Sequence, residues 1–187
     1  NNRRLEELRR ALFACVDANN REGVGQNIVL IQNNGKLTDP SIVHPETGQN
    51  VLQYAVSQEQ YDIANYIIQQ ADDELLCHWY EVMESGIHGK RNALHIITEK
   101  KNLQLAQSFL SKFTNADKRL AALKLETAVD IEGQRPRLFS CLLLAAYHGA
   151  TELMRLYLDS GMDVNHVNGK KDTALLWAAR WGHNDTV

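Results

Sequence analysis

The sequence is poor in the residues that mark the commoner site chemistries. Among 187 residues there are three cysteines, three prolines and four phenylalanines. Cys15, Cys77 and Cys141 are far apart and none belongs to a Cys-x-x-Cys pair. That excludes a disulfide framework or a zinc knuckle and leaves thiols used as small apolar groups in a reducing compartment. Long hydrophobic runs are missing too. The longest, Leu138 to Tyr147, is interrupted by Ser140 and is too short to cross a bilayer. Asn1-Asn2-Arg3-Arg4 carries neither an initiator Met nor an apolar signal core, so the chain is expected to be a fragment of a longer protein.

An excess of one charge is also absent. Lys and Arg number 20 against 23 Asp and Glu, a formal net charge of −3. Nothing pulls the chain globally toward nucleic acid or an anionic membrane. The basic pairs Lys90–Arg91, Lys100–Lys101 and Lys170–Lys171 are interleaved with Glu99 and Asp172, as on a mixed solvated face. Neither a nucleic-acid partner nor membrane insertion is expected, and the location is expected to be intracellular, cytoplasmic or nuclear.

Catalytic signatures fail one by one. Gly23-Val24-Gly25 has no following Gly or Lys-Ser and reads as a turn rather than a phosphate loop. Glu84-Ser85-Gly86 lacks the flanking glycine of a nucleophile elbow. Cys77-His78 with Glu81 has no second ligand pair at metal spacing. His44, His88, His148, His166 and His183 fall in turns, where exposed histidine is ordinary. No catalytic residue, cofactor or metal is expected, and the chain does not read as an enzyme.

What the sequence does contain is self-similarity. Leu142-Leu143-Leu144-Ala145-Ala146-Tyr147-His148-Gly149 aligns with Leu175-Leu176-Trp177-Ala178-Ala179-Arg180-Trp181-Gly182 at a constant offset of 33 residues. The first run is followed by Glu152 to Leu158, with apolar residues at helical spacing, and then by Gly161-Met162-Asp163-Val164-Asn165. The paired alanines let neighbouring helices approach closely, and Gly149 and Gly182 suit a turn that needs a positive φ. Period, alanines and glycines together resemble the ankyrin repeat.

The resemblance implies an all-α solenoid of stacked helix–turn–helix units with almost no regular sheet. Weaker copies begin at Asn50-Val51-Leu52 and Asn92-Ala93-Leu94, where Asn replaces the family's usual Thr, as Ser140 does further on. Both Asn and Ser cap a helix N-terminus as Thr does. His95 keeps the family's histidine and is expected to hydrogen-bond between adjacent repeats. The array is read as a degenerate cap over 5–34, repeats over 45–71, 87–112 and 135–166, and a truncated repeat over 168–187. Expanded connections fall within 71–86 and 114–136, the second with a helix begun by Asn115 or Asp117. Whether these insertions bind or only cover the convex side stays open.

The implied function is a protein-interaction scaffold that holds a partner by its concave face and hairpin tips. Carried onto this sequence, the binding positions are the helix-end pairs Glu99 and Lys100, Tyr147 and His148, and Arg180 and Trp181. Ser57 and Gln58 form a further such pair. At the tips are Arg91, Lys170 and Asp172, with Glu46, Thr47, Gln49, His88, Gly89 and Gly169 beside them. Exposed Tyr, Trp and Arg are the composition of binding hot spots, whereas Trp177 falls on an inner position that packs between repeats. The alternative is a recruiting arm of a larger enzyme, or of a secreted bacterial effector in a host cytosol, whose catalytic domain lies outside this fragment. The sequence favours none of these settings.

Overall fold

The computed structural model describes residues 2–187. It opens with an antiparallel helix pair, α1 (Asn2–Asp17) and α2 (Arg21–Gln32). Two further pairs come next, α3 (Val51–Ser57) with α4 (Tyr61–Gln70) and, after an insertion, α6 (Ala93–Glu99) with α7 (Leu103–Lys112). The last pair is α9 (Cys141–Tyr147) with α10 (Thr151–Asp159), and α11 (Ala174–Arg180) stands beside α9. The short helices α3, α6, α9 and α11 stack in one layer, and α2, α4, α7 and α10 in a second.

One backbone device closes α1, α3, α6, α9 and α11 alike. The amides of Asn20, Gln60, Asn102, Ala150 and His183 donate to the carbonyls of Cys15, Ala55, Ile97, Ala145 and Ala178, each five residues back. The residue before each of these amides is left-handed: Asn19, Glu59, Lys101, Gly149 and Gly182, with φ between 51° and 71°. Glycine occupies two of the five positions. Glu59 and Lys101 adopt the same bend despite a Cβ, so the turn recurs where its usual letter does not.

The helix starts repeat as well. The Asn50 side chain accepts from the Gln53 amide while Gln53 Oε1 accepts from the Asn50 amide, and Gln53 Nε2 donates onward to the His78 carbonyl at 2.9 Å. Asn92 and His95 build the same reciprocal cap. His95 Nδ1 accepts from the Asn92 amide at 3.0 Å, so Nε2 carries the proton and donates to the Leu125 carbonyl at 2.8 Å. This bond reaches the long connection after α7 rather than the neighbouring helix pair. Burial pushes the His95 pKa down to about 3, so the ring is neutral.

Between the stacked helices the side chains are small or flat. Ala55, Ala145, Ala146 and Ala178 are fully buried, and the Thr98 and Tyr157 hydroxyls meet at 2.6 Å between two helix pairs. Ala146 is covered, whereas Ala179, 33 residues on, is exposed on the outer side of α11. Ala146→Leu should therefore force α11 away from α9 at a cost of about 2 kcal/mol. The denaturant midpoint should fall and amide exchange around Leu175 should quicken. Unchanged values for both would place Ala146 outside that contact.

The expectation of almost no regular sheet is corrected. Strands β1 (Trp79–Glu84) and β2 (Ile87–Asn92) form an antiparallel hairpin, and β3 (Thr127–Val129) pairs with β4 (Arg137–Phe139) in a shorter one. Both lie where chain enters a short helix. Ser85 and Gly86, with φ of 46° and 88°, make the two-residue turn that matches strand twist.

The insertions also carry α5 (Asp73–Cys77) and α8 (Ala116–Lys124), which pack against each other. Asp73 joins them, accepting from the Thr114 amide at 2.9 Å, the Thr114 hydroxyl at 2.8 Å and the Asn115 amide at 3.1 Å. Those bonds hold its carboxyl below the usual range.

Candidate functional site

The helix ends and hairpin tips named from the sequence are distributed over three environments. The first is a polar cluster where β1 and β2 lean over the ends of α3 and α6. Tyr80 Oη accepts from Gln49 Nε2 at 3.1 Å, and the same amide donates to Ser57 Oγ at 2.8 Å. Arg91 is half-buried, pairs with Glu99 at 3.5 Å, and donates to the Thr127 hydroxyl at 3.0 Å and the Ala128 carbonyl at 3.1 Å. Burial raises the Glu99 carboxyl, with Arg91 and Lys100 opposing and Glu84 adding to the rise. Lys100 instead bonds Glu59 at 2.8 Å, which raises its ammonium pKa. Arg91, Glu99 and Lys100 thus already have partners within the chain.

Beside them Gly89 is buried. A Cβ built on it would lie 2.2 Å from the Ala128 amide nitrogen, because β3 crosses against β2 at that point. Gly89 is therefore a packing position and not an exposed tip.

The second environment is the tip before α11. Asp172, expected at the surface, is only 7% exposed. Its carboxylate accepts from Asn168 Nδ2 at 3.0 Å with Arg137 at 4.0 Å, while Asn168 Oδ1 accepts from the Lys170 and Asp172 amides. A second Asn168 bond reaches the Leu138 carbonyl. The aspartate closes its own turn, which corrects its reading as an exposed tip; Lys170 stays exposed.

The third environment gathers four of the candidates. Tyr147 ends α9 and Trp181 ends α11, and their rings meet edge to face at 5.4 Å. Tyr147 also touches Phe139, Trp177 and His148. The Arg180 guanidinium stacks over Trp177 at 5.6 Å, and Trp177 itself is buried. Trp181 and Arg180 are exposed, whereas Tyr147 and His148 are half-buried. Burial lowers the His148 pKa, helped by Lys101 and His183. The 33-residue offset pairs Tyr147 with Arg180 and His148 with Trp181, so α9 and α11 end side by side and the Tyr147 ring meets Trp181, one position beyond its own equivalent.

His183 has a part that its turn position concealed. Its Nε2 bonds the Tyr147 carbonyl at 3.0 Å, and its ring fills the space where a Cβ on Gly149 would fall. The ring holds the end of α9 in place. Of the five histidines expected to be exposed, only His88 is; His44, His148, His166 and His183 are half-buried.

Residues 142–187 match the family described as ankyrin repeats (many copies). No curated protein matches the chain. Ankyrin repeats are in general protein–protein interaction modules, and the Tyr147–Trp181 pair lies wholly inside the matched segment. Among the described residues no helix is long and apolar enough to cross a membrane, and no three His, Cys, Asp or Glu side chains cluster as metal ligands.

Proposed function

We propose that the chain is an ankyrin-type solenoid, a scaffold that holds a protein partner at the ends of α9 and α11. The whole of 1–187 is read as one ankyrin-repeat domain, with the 5–34 cap and units over 45–71, 87–112, 135–166 and 168–187. The observation that carries the reading is the Tyr147–Trp181 contact with Arg180 alongside. An exposed indole supported edge-on by a fixed phenol is already ordered, so little side-chain entropy is lost when a partner covers it. Arg91, Glu99 and Lys100, by contrast, give up existing partners to meet a new one, which places them at the margin of the surface. The work proposed is non-catalytic, in an intracellular compartment.

The test uses a partner captured with this chain and then titrated against variants. Trp181→Ala and Arg180→Ala should each weaken binding at least about tenfold, as truncation near the centre of an interface does. Their melting temperatures should stay near that of the parent. Tyr147→Ala should reduce both affinity and stability, because its ring also supports Phe139 and Trp177. Intact affinity in the Trp181 and Arg180 variants would sink the proposal.

A further inference from the structure

Strand β1 is paired on one side only. Its partner is β2, and among the described residues no backbone hydrogen bond joins Trp79–Glu84 to any other segment. Alternate amides and carbonyls of a six-residue strand are therefore left facing outward, the geometry that accepts another strand. Beyond β2, the strand packs against β3, and its Tyr80 hydroxyl accepts from Gln49 Nε2.

The side chains along this edge are selective. On one face stand Trp79, Glu81 and Met83, with Trp79 39% and Met83 62% exposed. On the other stand Tyr80, Val82 and Glu84. Edge strands commonly carry charge that discourages indiscriminate pairing, and here both charges are negative. Neither glutamate makes an ion pair among the described residues. Lys90, directly opposite Glu81 in the register, lies over the Trp79 ring at 4.2 Å instead. Arg91 is committed to Glu99. Glu81 and Glu84 lie three positions apart on opposite faces, so an added strand meets one carboxylate on each of its own faces.

We propose that the outer edge of β1 takes up an extended segment of a protein partner. The segment bears two basic residues three positions apart, with apolar residues between and beside them to lie against Trp79 and Met83 on one face and Val82 on the other. Backbone bonds to the edge would supply the attachment, and the two cation–carboxylate pairs would set the register. This surface is separate from the Tyr147–Trp181 site and does not depend on it.

The probe is an acetylated, amidated peptide, Thr-Val-Lys-Thr-Val-Lys-Thr-Val, titrated into the chain at concentrations up to about 1 mM. Backbone amide spectra should shift at Trp79 to Glu84, and exchange of the outward amides should slow. The same peptide with Glu for both Lys should bind at least about fivefold more weakly, and one with alternate amides N-methylated should not bind. Glu81→Lys combined with Glu84→Lys should reverse the preference between the Lys and Glu peptides, and an unchanged melting temperature would confirm that the variant is folded. Trp181→Ala should leave peptide binding unchanged. Equal binding of the Lys and Glu peptides, or indifference to N-methylation, would overturn the proposal. So would shifts confined to Tyr147 and Trp181, concentration-dependent self-pairing of β1 without peptide uptake, or no binding at all.

Discussion

Below about pH 6.5 the chain should lose stability at roughly 1.4 kcal/mol per pH unit, continuing toward pH 3, through His95 alone. The unfolded imidazole takes up its proton near its ordinary pKa of 6.5, whereas burial holds the folded ring to about 3. Between those values the unfolded state binds more protons, so stability is complete above the window and falls as the pH falls through it. Protonation inside the fold meets two obstacles. Nδ1 is occupied as the acceptor for the Asn92 amide, and the ring is out of contact with water. His95→Gln separates this effect from ordinary acid unfolding, because Gln53 already does the same work in α3 with an amide oxygen and an amide nitrogen. Unfolding free energies from denaturant titrations at pH 7 and pH 4 should differ by about 3 kcal/mol less in the variant than in the parent. An equal acid loss in both proteins would remove His95 as the cause.

The same pair of residues explains what the sequence concealed. The carboxy-terminal helices were legible because Ala145, Ala146, Gly149 and Gly182 are the residues that the close approach and the left-handed turn favour. Upstream, the identical turn is made by Asn19, Glu59 and Lys101, and the identical cap is completed by Gln53. Backbone bonding recurs there while residue identity does not. The β1–β2 hairpin had one local signal, the Ser85-Gly86 turn, since Trp79 to Glu84 alternates in burial but not in hydrophobicity. The resemblance to helical repeats implies no strands there.

At the candidate site, the side-by-side ends of α9 and α11 were legible in the 33-residue offset. The burial of Asp172 did not, since it depends on Asn168 and on Arg137, which comes from the preceding connection. His183 was equally hidden, because its partner carbonyl lies 36 residues away in sequence.

Gly89→Val is expected to be the most disruptive single change in the hairpins. Its φ is not the reason, since Gly89 is not among the left-handed glycines. The reason is the main chain of Thr127 and Ala128, which occupies the space where the new Cβ would fall and cannot rotate aside as a side chain would. Separating β2 from β3 would break the Lys90 amide bond to the Glu126 carbonyl and loosen both Arg91 bonds to the β3 strand. We expect a loss of about 3 kcal/mol, the upper end for forcing volume into a filled contact. Amides of β3 should exchange faster while those of α1 and α2 stay protected. Stability within about 0.5 kcal/mol of the parent, the range of neutral surface changes, would show that β3 does not pack there in solution.

The onward bonds of Gln53 and His95 have a consequence for a chain made from its amino end. Each side chain finishes its hydrogen bonding on a carbonyl that arrives late, His78 for Gln53 and Leu125 for His95, 25 and 30 residues further on. While the ribosome is still adding those residues, the start of each inner helix holds a buried polar group with one partner missing. A nascent unit is thus provisional until the connection beyond it has emerged and docked. In the two carboxy-terminal inner helices the corresponding residues are Leu143 and Leu176, which have no such debt to settle. Their starts are complete as soon as their own helices form, so among the inner helices this waiting at the helix start falls on α3 and α6.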